Sequence, residues 1–182
     1  MIFSSEKCNF AGLIMIITLT GFMGSGKSAV GKALGEALEM EFVDLDAYIE
    51  HKAGRSIPEI FATDGEEYFR ALEAEAVRDV VVLHQIAGGG VVLALGGGTV
   101  MTRSVQELIF DQTVCVYLSA SPHTLRSRLE GGTGRPLLNE DFPALLESRI
   151  PTYSRARFTI DTDGLDVKEV VEKIKTSIRT KI

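Results

Sequence analysis

The residues with chemical reach begin at Gly21-Phe22-Met23-Gly24-Ser25-Gly26-Lys27-Ser28. This run fits G-x-x-x-x-G-K-[ST], a loop that cradles a nucleotide's phosphates. Its glycines let backbone N–H groups turn inward toward phosphate oxygens, and the helix start behind them adds partial positive charge. Lys27 is spaced to reach the β- and γ-phosphates, and the Ser28 hydroxyl to hold a Mg2+ ion that bridges them. Asp44-Leu45-Asp46 is a second candidate. One carboxylate could serve the metal, and the other could orient a substrate hydroxyl and take its proton. The competing reading makes Asp46 only the cap of a following helix. Arg70 and Glu73 stand three apart, so they can meet on one helix face, as an ordinary surface pair would. Arg135 sits within the glycine-rich, polar stretch 131–139. That pattern reads as a lid bringing an arginine to the transferring phosphoryl group, with a plain surface loop as the alternative.

These residues need elements to hold them. The apolar run 16–20 predicts a strand feeding the loop, and Val30, Ala33, Leu34, Ala37 and Leu38 recur as one face of the helix behind it. A short strand over 40–43 leads to Asp44 and Asp46, which strand alternation sends to one side. A helix over 47–52 follows, then a helix start at Ser56-Ile57-Pro58-Glu59. A long helix from Asp64 to about Gln85 carries Arg70 and Glu73. The run 91–95 reads as a buried parallel strand, with one glycine triplet before it and another, Gly96 to Gly98, behind it. At a strand's C-terminal end, missing side chains let a substrate lie against backbone. Since glycine stands where an acidic residue often ends such a strand, Ser28 and Asp44 are left to serve the metal. A helix over 99–110, a buried strand over 114–118 and a helix starting at Ser121-Pro122 come next, the last carrying Arg126 and Arg128. A helix over 140–156 carries Arg149, with Pro151 bending or interrupting it. A strand over 158–160, the turn Asp161 to Gly164 and a closing helix over 166–181 complete the chain.

Length and composition set the bounds. At 182 residues, 45% hydrophobic and mean hydropathy +0.15, the chain suits one compact α/β domain. A net charge of −6 and a pI near 5.1 argue against a nucleic-acid surface. An arginine cluster can still make one cleft locally positive for a small anion. Cys8 and Cys115 make no disulfide framework, which suits the cytoplasm. His51, His84 and His123 are scattered and read as surface or helix-end residues rather than ligands. No apolar run reaches membrane-spanning length. Residues 1–14 read as a leader or extension ahead of a domain over 15–182. Lys7 and the apolar stretch after it suggest a signal peptide only loosely, because no small-residue cleavage site follows.

The phosphate loop, D-L-D (44–46), F-R-x-x-E (69–73), G-G-G (96–98), G-R-P-L-L (134–138) and R-x-P-x-Y (149–153) occur in one order. Together, over roughly Ile16 to Asp161, they resemble the shikimate kinase family. The resemblance implies an α/β fold: a three-layer P-loop kinase with a five-stranded parallel sheet flanked by helices and a mobile lid, akin to nucleoside monophosphate kinases. It implies Mg2+-dependent transfer of the γ-phosphoryl group of ATP to the 3-hydroxyl of shikimate, on the way to chorismate and the aromatic amino acids. ATP would be held by Gly24, Ser25, Gly26, Lys27, Ser28 and Ala29, with Arg128 along the adenine and Arg135 on the phosphates. Shikimate would be held by Asp46, Arg70, Arg149 and the backbone of Gly96, Gly97 and Gly98, with Glu73 orienting Arg70. Lys27, Asp46 and Arg135 would be the catalytic set, and Ser28 and Asp44 the metal ligands. The resemblance further implies a monomer with no nucleic-acid or membrane partner. Two rivals stand beside it. A gluconate kinase or nucleotide kinase would share the architecture, but paired arginines facing a carboxylate favour a small hydroxy acid. A GTP-dependent switch would need Asp161-x-x-Gly164 as a nucleotide motif, yet it comes late and no N-K-x-D follows.

Overall fold

Alternation along the first strand decides which side of the sheet each residue serves. In the computed structural model, which describes residues 15–130 and 142–181, strand β1 spans Ile16–Thr20 and is buried throughout. Ile17 and Leu19 join an apolar cluster on one face, and Ile16 joins a second cluster on the other. Strands β2 (Glu41–Asp44), β3 (Val91–Ala94), β4 (Val114–Ser119) and β5 (Phe158–Asp161) complete a sheet of order β2-β3-β1-β4-β5. Every pairing is parallel. Parallel strands need helical crossovers, so helices cover both faces and the central strands are apolar on each side.

Helices α1 (Lys27–Leu38) and α8 (Val167–Lys181) pack on the face of Ile17 and Leu19. The other face is covered by α4 (Gly65–Ala87), α5 (Arg103–Gln112), α6 (Pro122–Glu130) and α7 (Phe142–Tyr153). Helices α2 (Leu45–Ala53) and α3 (Ile57–Thr63) connect β2 to α4. Helix α3 opens with a reciprocal cap between Ser56 and Glu59, the start that Ser56, Pro58 and Glu59 predict. The five-stranded α/β architecture implied by the sequence is therefore borne out. Residues 1–14, with Cys8, and the lid segment 131–139, with Arg135, lie outside the described residues.

Several local expectations are corrected. Asp46 is not a strand residue, because β2 ends at Asp44 and Leu45 already begins α2. Nor is Asp46 the cap of that helix: Asp44 accepts from the backbone N–H groups of Asp46 and Ala47 at 3.1 and 3.4 Å. The stretch expected as one helix over 99–110 is a 3-10 turn, Thr99–Met101, followed by α5 after Thr102 adopts extended backbone. Of the two effects expected of Pro151, interruption does not occur, since α7 runs on to Tyr153. So close to the end, the missing proline N–H forfeits a single bond. His84 is buried, not superficial. It does stand in the last turn of α4, the helix-end position expected of it, and its ring lies between the Val80 carbonyl (2.8 Å) and Glu41 (3.2 Å).

Candidate active site

The strand order places β1 at the centre, with β3 and β2 on one side and β4 and β5 on the other. Such a reversal opens a crevice at the strands' C-terminal ends. The loop after β1 lines it. Gly21, Gly24 and Gly26 all have positive φ, at 144°, 80° and 94°. At Gly21 a β-carbon would lie 2.6 Å from the Leu118 carbonyl oxygen, so only glycine fits against β4. Gly26 then forms the N-terminal cap of α1. The helix starts at Lys27, aiming its free N–H groups and positive dipole end into the crevice. The Lys27 ammonium donates to the carbonyls of Gly21 and Phe22 at 2.9 and 3.0 Å. Ser25 is buried, so it offers the crevice backbone rather than side chain. The Ser28 hydroxyl donates to Asp44 Oδ2 at 2.6 Å. Since Asp44 Oδ1 caps α2, both carboxylate oxygens are held in place.

The loop after β3 gathers four of the predicted groups, Asp46, Arg70, Glu73 and Arg149. A β-carbon on Gly96 would lie 3.0 Å from Asp46 Oδ1 and 3.1 Å from Glu73 Oε1. The Gly97 carbonyl accepts from Arg149 Nη1 at 3.2 Å. A β-carbon on Gly98 would lie 3.0 Å from both Nη1 and Nη2 of Arg70. Residues 46, 70, 73 and 149, drawn from α2, α4 and α7, thus converge on three consecutive glycines. Arg70 and Glu73 are no ordinary surface pair: Arg70 Nη1 donates to Glu73 Oε2 at 2.8 Å, and Glu73 is only 1% exposed. Burial works against the Arg70 charge, but Glu73 and Glu66 outweigh it and raise its pKa. The Arg70 Nε and Nη2 groups reach Glu66 at 3.3 and 3.2 Å.

Asp46 itself opens onto the crevice. The surrounding protein raises its pKa above the ordinary aspartate value, chiefly by desolvation and next by the Asp44 charge, while Lys27 pulls the other way. A carboxylate held in this way is a stronger base than one in water.

Arg128 is positioned differently from the rest. Its guanidinium donates to the hydroxyl and carbonyl of Thr162, at 3.1 and 3.0 Å, in the loop behind β5. The neighbouring Asp163 carboxylate accepts from Ser121 N–H at 3.0 and 3.2 Å. The segment Thr162 to Gly164, directly after β5, is therefore a turn that ties that strand to the start of α6. Three further residues to which the sequence assigned no role of their own complete the site. The Tyr153 hydroxyl donates to the Gly97 carbonyl at 2.5 Å. The Thr99 hydroxyl donates to Glu73 Oε1 at 2.7 Å. Phe22 places its ring under Arg149, with 5.5 Å from guanidinium carbon to ring centroid, and meets Phe142 edge-on at 5.3 Å. Tyr153 lies four residues after Arg149, on the same helix face, and Thr99 directly follows the glycine triplet. Those spacings were available signals.

With this geometry in hand, likeness to known proteins decides the family. The sequence profile described as shikimate kinase matches residues 23–179. The chain belongs to the shikimate kinase family. It is 46% identical over 164 residues to a shikimate kinase of Thermus thermophilus, covering 87% of this chain and 86% of that one. A shikimate kinase from Acinetobacter baumannii, solved in complex with shikimate, superposes with a TM-score of 0.82 at 31% identity. That match covers 93% of this chain and 95% of the other. A gluconokinase from Sinorhizobium meliloti also shares the fold, with a TM-score of 0.62 over 91% of this chain and 92% of its own. Its 20% identity carries the fold alone. Members of the shikimate kinase family are ATP-dependent phosphotransferases that act on an alcohol group. Among the described residues, no helix is long and apolar enough to cross a membrane.

Proposed function

We propose that this crevice phosphorylates the 3-hydroxyl of shikimate with ATP, and that the groups converging on Gly96, Gly97 and Gly98 bind the acid. The observation that carries this reading is the arrangement itself: two arginines on Gly97 and Gly98, and a carboxylate on Gly96 beside them. A guanidinium fork matches a carboxylate with two parallel hydrogen bonds. Arg70 and Arg149 hold the acid group, Glu73 steadies Arg70, and Asp46 receives the reacting hydroxyl.

In the transfer step the 3-hydroxyl oxygen forms a bond to the γ-phosphorus as the bond from that phosphorus to the β,γ-bridging oxygen breaks, releasing ADP. Asp46 accepts the hydroxyl proton. The backbone of residues 24–29 cradles the phosphates, and Lys27 exchanges its carbonyl partners for phosphate oxygens. Arg135 neutralises charge from the lid, and Arg128 borders the adenine. The Ser28 hydroxyl and the Asp44 carboxylate offer adjacent hard oxygen donors 2.6 Å apart, a set that suits Mg2+. Held there, that ion would supply neutralising charge for the transferring phosphoryl group. Phosphoryl transfer needs positioning and electrostatics more than covalent help, which is what this chain's residues provide. The two-cysteine composition and the family resemblance further support a monomeric, cytoplasmic enzyme.

The test is Mg2+-dependent ATP consumption measured across shikimate, quinate, gluconate and the nucleoside monophosphates. Turnover with shikimate, and a product phosphorylated on the 3-hydroxyl, is the expected result. Turnover with gluconate or a nucleoside monophosphate in its place would overturn the reading. Arg149→Ala should raise the KM for shikimate by about 100-fold, the scale for removing one side of a charge-assisted pair. Its KM for ATP should stay near the parent value, and an equal rise in both would contradict the assignment.

A further inference from the structure

Each arginine at the glycine triplet rests on an anchor that it shares with a neutral hydroxyl. Glu73 receives Arg70 Nη1 on Oε2 at 2.8 Å and the Thr99 hydroxyl on Oε1 at 2.7 Å. The Gly97 carbonyl receives Arg149 Nη1 at 3.2 Å and the Tyr153 hydroxyl at 2.5 Å. Thr99 and Tyr153 are wholly buried, and Glu73 is nearly so. Water cannot replace a missing donor at Glu73, so the protein must satisfy that carboxylate itself. Both hydroxyls are rigidly held. The Thr99 backbone N–H donates to the Gly96 carbonyl at 3.2 Å. The Tyr153 ring stacks on Tyr117 with centroids 5.1 Å apart. Burial pushes the Tyr153 phenol up to about 12, so it remains a donor at any working pH.

We infer that Thr99 and Tyr153 are positioning residues for the acid substrate: each hydroxyl fills half of an arginine's anchor and so leaves the guanidinium donors turned toward the crevice. Without the Thr99 hydroxyl, the buried Glu73 carboxylate has an unfilled oxygen. It then draws Arg70 into a two-pronged pair and turns the fork away from the ligand. Without the Tyr153 hydroxyl, Arg149 becomes the sole donor to a half-buried carbonyl. That carbonyl then competes with the substrate's carboxylate for the same N–H groups. The two devices are chemically parallel, although one anchor is a side chain and the other a backbone oxygen. Neither hydroxyl bonds to Lys27 or Ser28, so the nucleotide end is insulated from both. The inference rests on the proposed reading of Arg70 and Arg149 as the carboxylate clamp.

The experiment compares Tyr153→Phe, Thr99→Val, Thr99→Ser and Arg149→Ala with the parent enzyme. It measures KM for shikimate and for ATP, with thermal unfolding to establish that each variant folds. Tyr153→Phe and Thr99→Val should each raise the KM for shikimate roughly tenfold, the worth of one hydrogen bond to a charged or competing group. The KM for ATP should remain within about twofold of the parent, since no phosphate-loop contact is touched. Thr99→Ser keeps the hydroxyl and should behave like the parent. An unchanged shikimate KM in the folded Phe and Val variants would overturn the inference. So would parallel rises in both KM values, or Thr99→Ser as impaired as Thr99→Val. Arg149→Ala separates the two levels. If it leaves the shikimate KM unchanged, the clamp reading itself fails. If it raises that KM while the hydroxyl variants are silent, only the positioning roles fail.

Discussion

At the scale of single residues, Asp46 sets function against stability. Its pKa in the folded protein is raised, by desolvation first and by Asp44 second. For a carboxyl group shifted upward, the fold favours the protonated form. The favourable contribution is present below the unfolded pKa and is lost as pH rises through the folded one. At neutral pH the ionised Asp46 therefore costs stability. Asp46→Asn removes that cost while abolishing the proposed base. The variant should unfold at a higher temperature than the parent at pH 7, and its kcat should drop by about 100- to 10,000-fold. A kcat near that of the parent would rule out the role of Asp46 in orienting or deprotonating the hydroxyl. A lower unfolding temperature would contradict the electrostatic account. The same shift places the acid limb of the kcat profile above the pH at which an ordinary aspartate titrates, because only the carboxylate accepts the proton. A kcat profile from pH 4 to 8 checks this.

At the scale of elements, two glycines set the distance between α1 and the sheet. A β-carbon on Gly31 would lie 2.5 Å from Phe42 Cε2 and 3.4 Å from Leu19 Cδ1. One on Gly35 would lie 3.0 Å from the Met40 carbonyl. Helix propensity alone would choose alanine at both places. Close packing overrides it, because the helix behind the phosphate loop must lie tight on β1 and β2. Gly31→Val should cost about 1–3 kcal/mol through overpacking, read as a lower midpoint in urea with an unchanged slope. Phe42→Ala in the same chain should recover part of that loss, since the two side chains contend for one space. Fully additive losses would show that Phe42 is not what Gly31 makes room for.

At the scale of the whole molecule, the site is assembled from every layer, so ligands should stabilise the fold as a unit. A ligand at 100 times its Kd adds about 2.7 kcal/mol. For a chain of this size each kcal/mol moves the unfolding temperature by about 2–4 °C, so saturating shikimate should raise it by roughly 5–10 °C. Arg149→Ala should lose most of that rise at the same shikimate concentration while keeping the rise caused by a non-hydrolysable ATP analogue. Loss of both responses would mean that Arg149 supports the fold rather than the acid.

Most of the architecture was legible because it follows from local chemistry. Apolar runs bounded by glycine and proline marked the strands. The loop from Gly21 to Ser28 announced its own conformation, with positive φ at Gly21, Gly24 and Gly26 ahead of α1. Arg70 and Glu73 were legible as a pair because helix geometry brings residues three apart together. Local pattern misled where one position serves two elements. Asp44 ends a strand, caps a helix and binds Ser28 at once, and that triple duty moved Asp46 from the strand into the helix. What only the tertiary structure decided is which distant residues share an atom. Arg149 and Tyr153 meet Gly97 across more than 50 positions, and Thr99 meets Glu73 across 26. No periodicity encodes such pairs. They exist because parallel strands deliver their loops to one edge, where buried oxygens must find donors from whatever element packs against them.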